Sequence, residues 1–238
     1  VDIFANTFII AGMLFAYNIQ QQGRLKDYVL FGVMLGLGAA CKISSLPFAG
    51  AAVIAACLHV LKKNDPLRRN FVLVSAVKGL SAAAVVSFLV FRIFQPYAFS
   101  GPGFFGIIPD SNWIANIREI GHQQSGEVDF PPALQWAHRT PVIFALKNMV
   151  VWGLGIPLGL AAWAGYFLVL WESIQKKKSR YALILFWVMA FFLWQSTNNT
   201  PAMRYQLPVY PFLALSASWL LHCLWQTARG MPRATLFK

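Results

Sequence analysis

The fold class this sequence predicts is an all-α membrane protein, a polytopic bundle of about seven apolar segments with one long external loop, and three observations predict it. Of 238 residues, 58% are hydrophobic and only 12% charged, with a mean hydropathy of +0.55, the balance of a chain solvated by lipid. The apolar residues gather into runs separated by polar turns. The cations sort into alternate turns, so the formal charge of +12 reads as a topology signal and lipid anchor, not as a nucleic-acid surface.

The apolar runs cover residues 3–17, 28–41, 46–61, 71–94, 148–171, 181–194 and 207–225. A helix needs ~20 residues to span a hydrocarbon core. The second and third runs are shorter, and their glycines and Pro47 leave two readings open: complete spans, or tilted, broken or re-entrant pieces buried in protein. Gly32 with Gly36, and Gly155 with Gly159, form small-xxx-small patterns suited to close helix packing. Cys41 and Cys57, placed near opposite ends of one helix, stand about 24 Å apart at 1.5 Å per residue and cannot pair; with Cys223 they read as apolar packing residues.

Assigned alternately, the connections give one face Arg24, Lys26, Lys62, Lys63, Arg68, Arg69, Lys176, Lys177, Lys178, Arg180, Arg229, Arg233 and Lys238. The other face receives Lys42, Arg118, Arg139, Lys147 and Arg204, while Lys78 and Arg92 fall inside the fourth run. The positive-inside rule makes the first face cytoplasmic. Val1 and residues 95–146 then face outward. The chain opens on Val1 beside an apolar run, with no initiator Met and no signal peptide, which predicts that earlier helices precede it. No internal repeat, low-complexity tract or soluble domain stands out.

Residues 95–146 exceed what a connection needs, and loops of that length carry function. Pro96, Gly101, Pro102, Gly103 and Gly106 turn the chain and bring Phe104 and Phe105 to the interface. From Ser111, read as an N-cap, to about Gln123, the residues Trp113, Ile114, Ile117 and Ile120 recur at helical spacing and predict an interfacial amphipathic helix. Glu127, Asp129, His138 and Arg139 follow within a short stretch. They read either as a polar site above the bundle or as a solvated loop whose charges pair with one another.

Asp2, Lys42, Arg92 and Arg204 add polar groups at the outer edge, where they cost energy unless they pair or work. The alternatives are a helix N-terminal charge for Asp2 and snorkelling to headgroups for Lys42 and Arg204. Outward cations that run against the charge rule suit a phosphate-bearing lipid, because guanidinium forks and ammonium point charges match phosphate oxygens. A nearby carboxylate could then deprotonate an acceptor hydroxyl. Asn198 with Thr200 forms a glycosylation triplet on the outer side, a pattern that arises often by chance.

The opening Val1-Asp2-Ile3-Phe4-Ala5-Asn6-Thr7-Phe8, the run Gly36-Leu37-Gly38-Ala39-Ala40-Cys41-Lys42 and the run Arg204-Tyr205-Gln206-Leu207-Pro208-Val209-Tyr210-Pro211-Phe212 resemble the membrane glycosyltransferases of family 39. These are GT-C-fold enzymes akin to protein O-mannosyltransferases and the lipid A aminoarabinose transferase. The stretches Gly126-Glu127-Val128-Asp129-Phe130-Pro131-Pro132 and Gln135-Trp136-Ala137-His138-Arg139-Thr140-Pro141 are similar to a bacterial branch of unsettled substrate. The similarity runs along essentially the whole chain, in short hydrophobic motifs.

The resemblance implies inverting transfer of a sugar from a polyprenyl-phosphate carrier to a protein, lipid or glycan acceptor on the outer side of the plasma (inner) membrane. It implies catalytic roles among Asp2, Glu127, Asp129 and His138, and donor-phosphate binding by Lys42, Arg92, Arg139, Arg204 and Tyr205. In the family an Asp in the first external loop serves as the base, and that loop is expected to lie before Val1, so these 238 residues alone are expected to lack it. Asp2 matches a second acidic position lining the same cavity. No cofactor is expected, since no helix carries a His/Glu ligand spacing, and a divalent metal stays open. The alternatives of another class are a flippase for polyprenyl-linked sugars and a non-catalytic subunit of a membrane complex. The lack of a repeat and the large one-sided loop argue against the flippase.

Overall fold

A computed structural model describes residues 1–101, 106–128, 131–136, 138–176 and 180–229. Phe104, Phe105, Asp129, Lys177, Lys178, Arg233 and Lys238 lie outside the described residues. The fold is all-α and of membrane type: Asp2–Gln22, Ile43–Leu61, Pro66–Phe94, Ile156–Gln175 and Met203–Ala228 are each long and apolar enough to cross a bilayer. Their outward faces are apolar as well. On Pro66–Phe94, Phe71 is 75% exposed and Ile93 58%, an apolar surface suited to lipid contact.

The chain divides into two compact units, Val1–Gln123 and Gln124–Lys238. In the first, α1 (Asp2–Gln22) closes on Gly23, whose left-handed φ of 63° lets its N–H cap the Ile19 carbonyl. The short turn returns the chain as α2 (Leu25–Cys41), about 25 Å long at 1.5 Å per residue and at the low end of spanning length. The extended Lys42 ends α2; a 3₁₀ stretch around Pro47, Ile43–Phe48, then runs into α3 (Ala49–Leu61). Cys41 and Cys57 are thus on separate helices, not at the ends of one, because the backbone leaves helical geometry at Lys42.

The Gly32–Gly36 face does what its spacing predicts. It meets α4 (Pro66–Phe94) backbone to backbone: a Cβ on Gly32 would lie 2.5 Å from the Ala83 carbonyl oxygen, and one on Gly36 2.6 Å from that of Ser87. Asp65 caps α4, accepting from the Leu67 N–H at 3.2 Å, with Pro66 at the first helical position.

Beyond α4, the two-residue strands β1 (Phe99–Ser100) and β2 (Ile108–Pro109) pair antiparallel and lead into α5 (Ser111–Ser125). The predicted amphipathic helix is present, but its cap is Asp110 and not Ser111: the Asp110 carboxylate accepts from the Trp113 N–H at 2.9 Å. A carboxylate is the stronger acceptor for a helix's first amides, which places Ser111 inside the helix. Trp113 packs on Phe91 of α4, and no residue of α5 is buried.

The second unit holds α6 (Ile143–Asn148), a π turn at Met149–Gly153, α7 (Ile156–Gln175), α8 (Ala182–Ser196), a 3₁₀ stretch at Met203–Val209 and α9 (Tyr210–Ala228). The fifth apolar run is therefore two elements, not one helix. Gly155, at φ 79°, breaks it, and a Cβ on Gly159 would lie 2.7 Å from Val150 Cα, so the short piece packs against the start of α7. Here the two glycines divide the work: one turns the chain, the other admits the close contact. Aromatic packing fixes α8, with Trp163 and Phe192 centroids 4.9 Å apart and the Tyr166 hydroxyl donating to the Leu185 carbonyl at 2.8 Å.

Candidate functional site

Because α1 and α2 form a hairpin, the start of one and the end of the other share an end of the first unit. Lys42 Nζ lies 2.6 Å from Asp2 Oδ1, with the two side chains 30% and 31% exposed. The sequence predicts both residues for the site, and the structure brings them into a charge-assisted contact that is partly withdrawn from solvent. Asp2 also sits in the first turn of α1, where the helix dipole favours its carboxylate. Asn6 is one turn further along, on the same helical face. Its buried Oδ1 has no hydrogen-bond partner among the described residues. Sequence reasoning missed Asn6, although a polar amide four residues from Asp2 in an apolar run was the signal.

Near this end, α2, the 3₁₀ stretch with α3, and α4 enclose an apolar groove of about 440 Å³, lined among others by Ala39, Leu46, Val53 and Phe88. Leu46, Val53 and Phe88 are each more than two-fifths exposed, so the groove opens sideways. One turn beyond Phe88, Arg92 donates from Nε to the Gly106 carbonyl at 2.6 Å, and its guanidinium lies 5.1 Å from the Phe99 ring centroid. It ties the start of the loop to the end of α4, where Phe88, Phe91 and Phe99 cluster.

The other predicted residues belong to the second unit. Glu127 is exposed just after α5, beside Gly126, whose φ of 81° and missing Cβ admit the Asn199 side chain. The Asn199 N–H donates to the Gln124 carbonyl at 3.0 Å. His138, at φ 61°, and Arg139 are exposed in a turn, with the Arg139 guanidinium 5.3 Å from the Phe144 centroid. Arg204 is exposed in the 3₁₀ stretch before α9; its guanidinium lies over the Tyr205 ring at 5.2 Å and donates to the Tyr205 hydroxyl at 3.4 Å. In the glycosylation triplet, Asn198 donates to Gln195 Oε1 at 3.0 Å and Thr200 is buried.

The opposite end of the first unit holds polar groups that the sequence did not single out. The buried His59 ring places Nδ1 3.2 Å from the Gln20 carbonyl, and Lys62 Nζ donates to that carbonyl at 3.4 Å and to Gln21 Oε1 at 3.1 Å. These contacts satisfy the Gln20 carbonyl at the C-terminus of α1. Burial pushes the Lys62 pKa down, and the neighbouring Lys63 ammonium adds to the shift. Asp27 is 4% exposed, with Oδ2 lacking a hydrogen-bond partner among the described residues.

Among the described residues, no three His, Cys, Asp or Glu side chains group as a metal site would need. Protein-family models, curated proteins and solved structures contain no match to this chain.

Proposed function

We propose that this chain acts as a membrane glycosyltransferase that moves a sugar from a polyprenyl-phosphate carrier to an acceptor on the extracytoplasmic side of the plasma (inner) membrane. The proposal includes the finer topology, about seven segments of GT-C type crossing in alternate directions, with residues 95–146 outside and α5 lying in the interface. The observation that carries it is the Asp2–Lys42 pair at 2.6 Å, at the end of the unit where a laterally open apolar groove also reaches. A carrier lipid needs both: an apolar channel open to the bilayer for its chain and a cation at the interface for its phosphate.

In the proposed reaction the acceptor oxygen attacks the anomeric carbon as the bond from that carbon to the phosphate oxygen breaks. The electron pair leaves on the polyprenyl phosphate, whose growing charge Lys42 stabilises in a partly desolvated site. The acceptor proton passes to a carboxylate. Asp2 faces Lys42 at 2.6 Å and is positioned for that role or to orient the lysine, and Arg92 of the same unit is a further phosphate ligand.

The test is product identity. In proteoliposomes carrying a labelled polyprenyl-phosphate sugar, transfer yields free polyprenyl phosphate together with sugar on an acceptor. Intact donor appearing in the opposite leaflet would instead mean a flippase, and neither product a non-catalytic subunit.

A further inference from the structure

We infer that the second unit holds one anionic phospholipid of the lysine-rich leaflet, astride the contact between α7 and α8. Two apolar grooves flank that contact. One, of about 360 Å³, runs between α7 and α8 past Leu170, Ser173, Ala182 and Met189. The other, of about 250 Å³, lies on the α9 side past Val169, Tyr181, Ile184 and Ser216. Both are lined by Tyr166 and Leu185, the residues joined by the 2.8 Å hydrogen bond. A closed ridge with a groove on either side is the shape that accepts the two acyl chains of one lipid.

Charge at the mouths selects the headgroup. Both grooves reach the α7–α8 turn, one at Ser173 and Ala182, the other at Tyr181. Arg180 lies over the Tyr181 ring, 5.8 Å from its centroid, so a guanidinium stands at the second mouth. Lys176 follows the end of α7 and is bound to Glu172 at 3.0 Å. The Arg180 guanidinium, with an apolar channel beside it, attracts an anionic headgroup more than a zwitterionic one, while the Lys176 ammonium is already paired with Glu172. The inference does not depend on the glycosyltransferase reading, since it uses neither Asp2 nor Lys42.

The test is native mass spectrometry of the complete protein released from nanodiscs of equimolar phosphatidylcholine and phosphatidylglycerol. The expected result is one retained phosphatidylglycerol. Arg180→Gln should lower the preference for phosphatidylglycerol by about fivefold while lipid is still retained. Ile184→Trp and Met189→Trp, one in each groove on the accessible side of α8, should lower retention of both lipids. If either fails to fold, Ala182→Phe at the first mouth makes the same test. Equal retention of the two lipids by the unaltered protein, an unchanged preference after charge removal, or unchanged retention after groove filling would each overturn the inference.

Discussion

The two ends of the α1–α2 hairpin use polar side chains in opposite ways. At the Asp2 end a carboxylate and an ammonium face each other at 2.6 Å, each about a third exposed. At the Gly23 end the polar groups serve the backbone: the buried His59 and the exposed Lys62 both reach the Gln20 carbonyl. The second arrangement completes the backbone hydrogen bonding of a helix terminus, a structural need. The first joins two side chains that are each about a third exposed, where the proposed carrier phosphate can compete for the lysine. Polar residues in a membrane bundle are thus informative according to what they contact, not according to their number.

The largest effect should come from prising α2 of the hairpin off α4, against which it packs backbone to backbone. Gly32→Leu drives a side chain into the Ala83 backbone and should cost about 3 kcal/mol or more, read as a lowered unfolding temperature in detergent. Retained stability would mean that α2 and α4 are not in backbone contact. His59→Ala should cost about 2 kcal/mol by opening a cavity and leaving the Gln20 carbonyl to Lys62, with donor turnover in the folded fraction unchanged. A loss of turnover at constant stability would move His59 into the site.

The pair itself should matter less for stability. A double-mutant cycle of Asp2→Asn and Lys42→Met should give a coupling of about 0.5–1 kcal/mol, because both groups are partly solvated. Several kcal/mol would mark the pair as a structural ion pair. The smallest effect concerns Lys62. Its pKa is lowered in the fold, so between that value and the ordinary 10.5 the unfolded chain binds more protons, and stability rises with pH across that window. Lys62→Met should flatten this rise in unfolding scans at alkaline pH.

Much of this architecture was legible. Apolar runs gave the helices, because a bilayer imposes length and composition locally. The recurrence of Trp113, Ile114, Ile117 and Ile120 gave α5, and the Gly32–Gly36 spacing gave a face that does meet α4. Contacts between residues distant in sequence were not legible. Asp2 and Lys42 are 40 positions apart, and only the hairpin brings them together, so the sequence could nominate each residue without pairing them. The break at Gly155 was hidden because an apolar run reads the same whether or not a positive φ interrupts it. Asn6 was overlooked for a similar reason: a lone amide in an apolar run means little until its burial is known.

The measurement that bears most directly on the account is the rate of polyprenyl-phosphate release from a lipid-linked sugar by the complete protein, compared between the unaltered chain and Lys42→Ala at equal folded amounts. If Lys42 faces the leaving phosphate as proposed, its loss should slow release by about 10²-fold. An unchanged rate would remove Lys42 from the chemistry and leave the Asp2–Lys42 pair as a helix-end contact like those at Gln20.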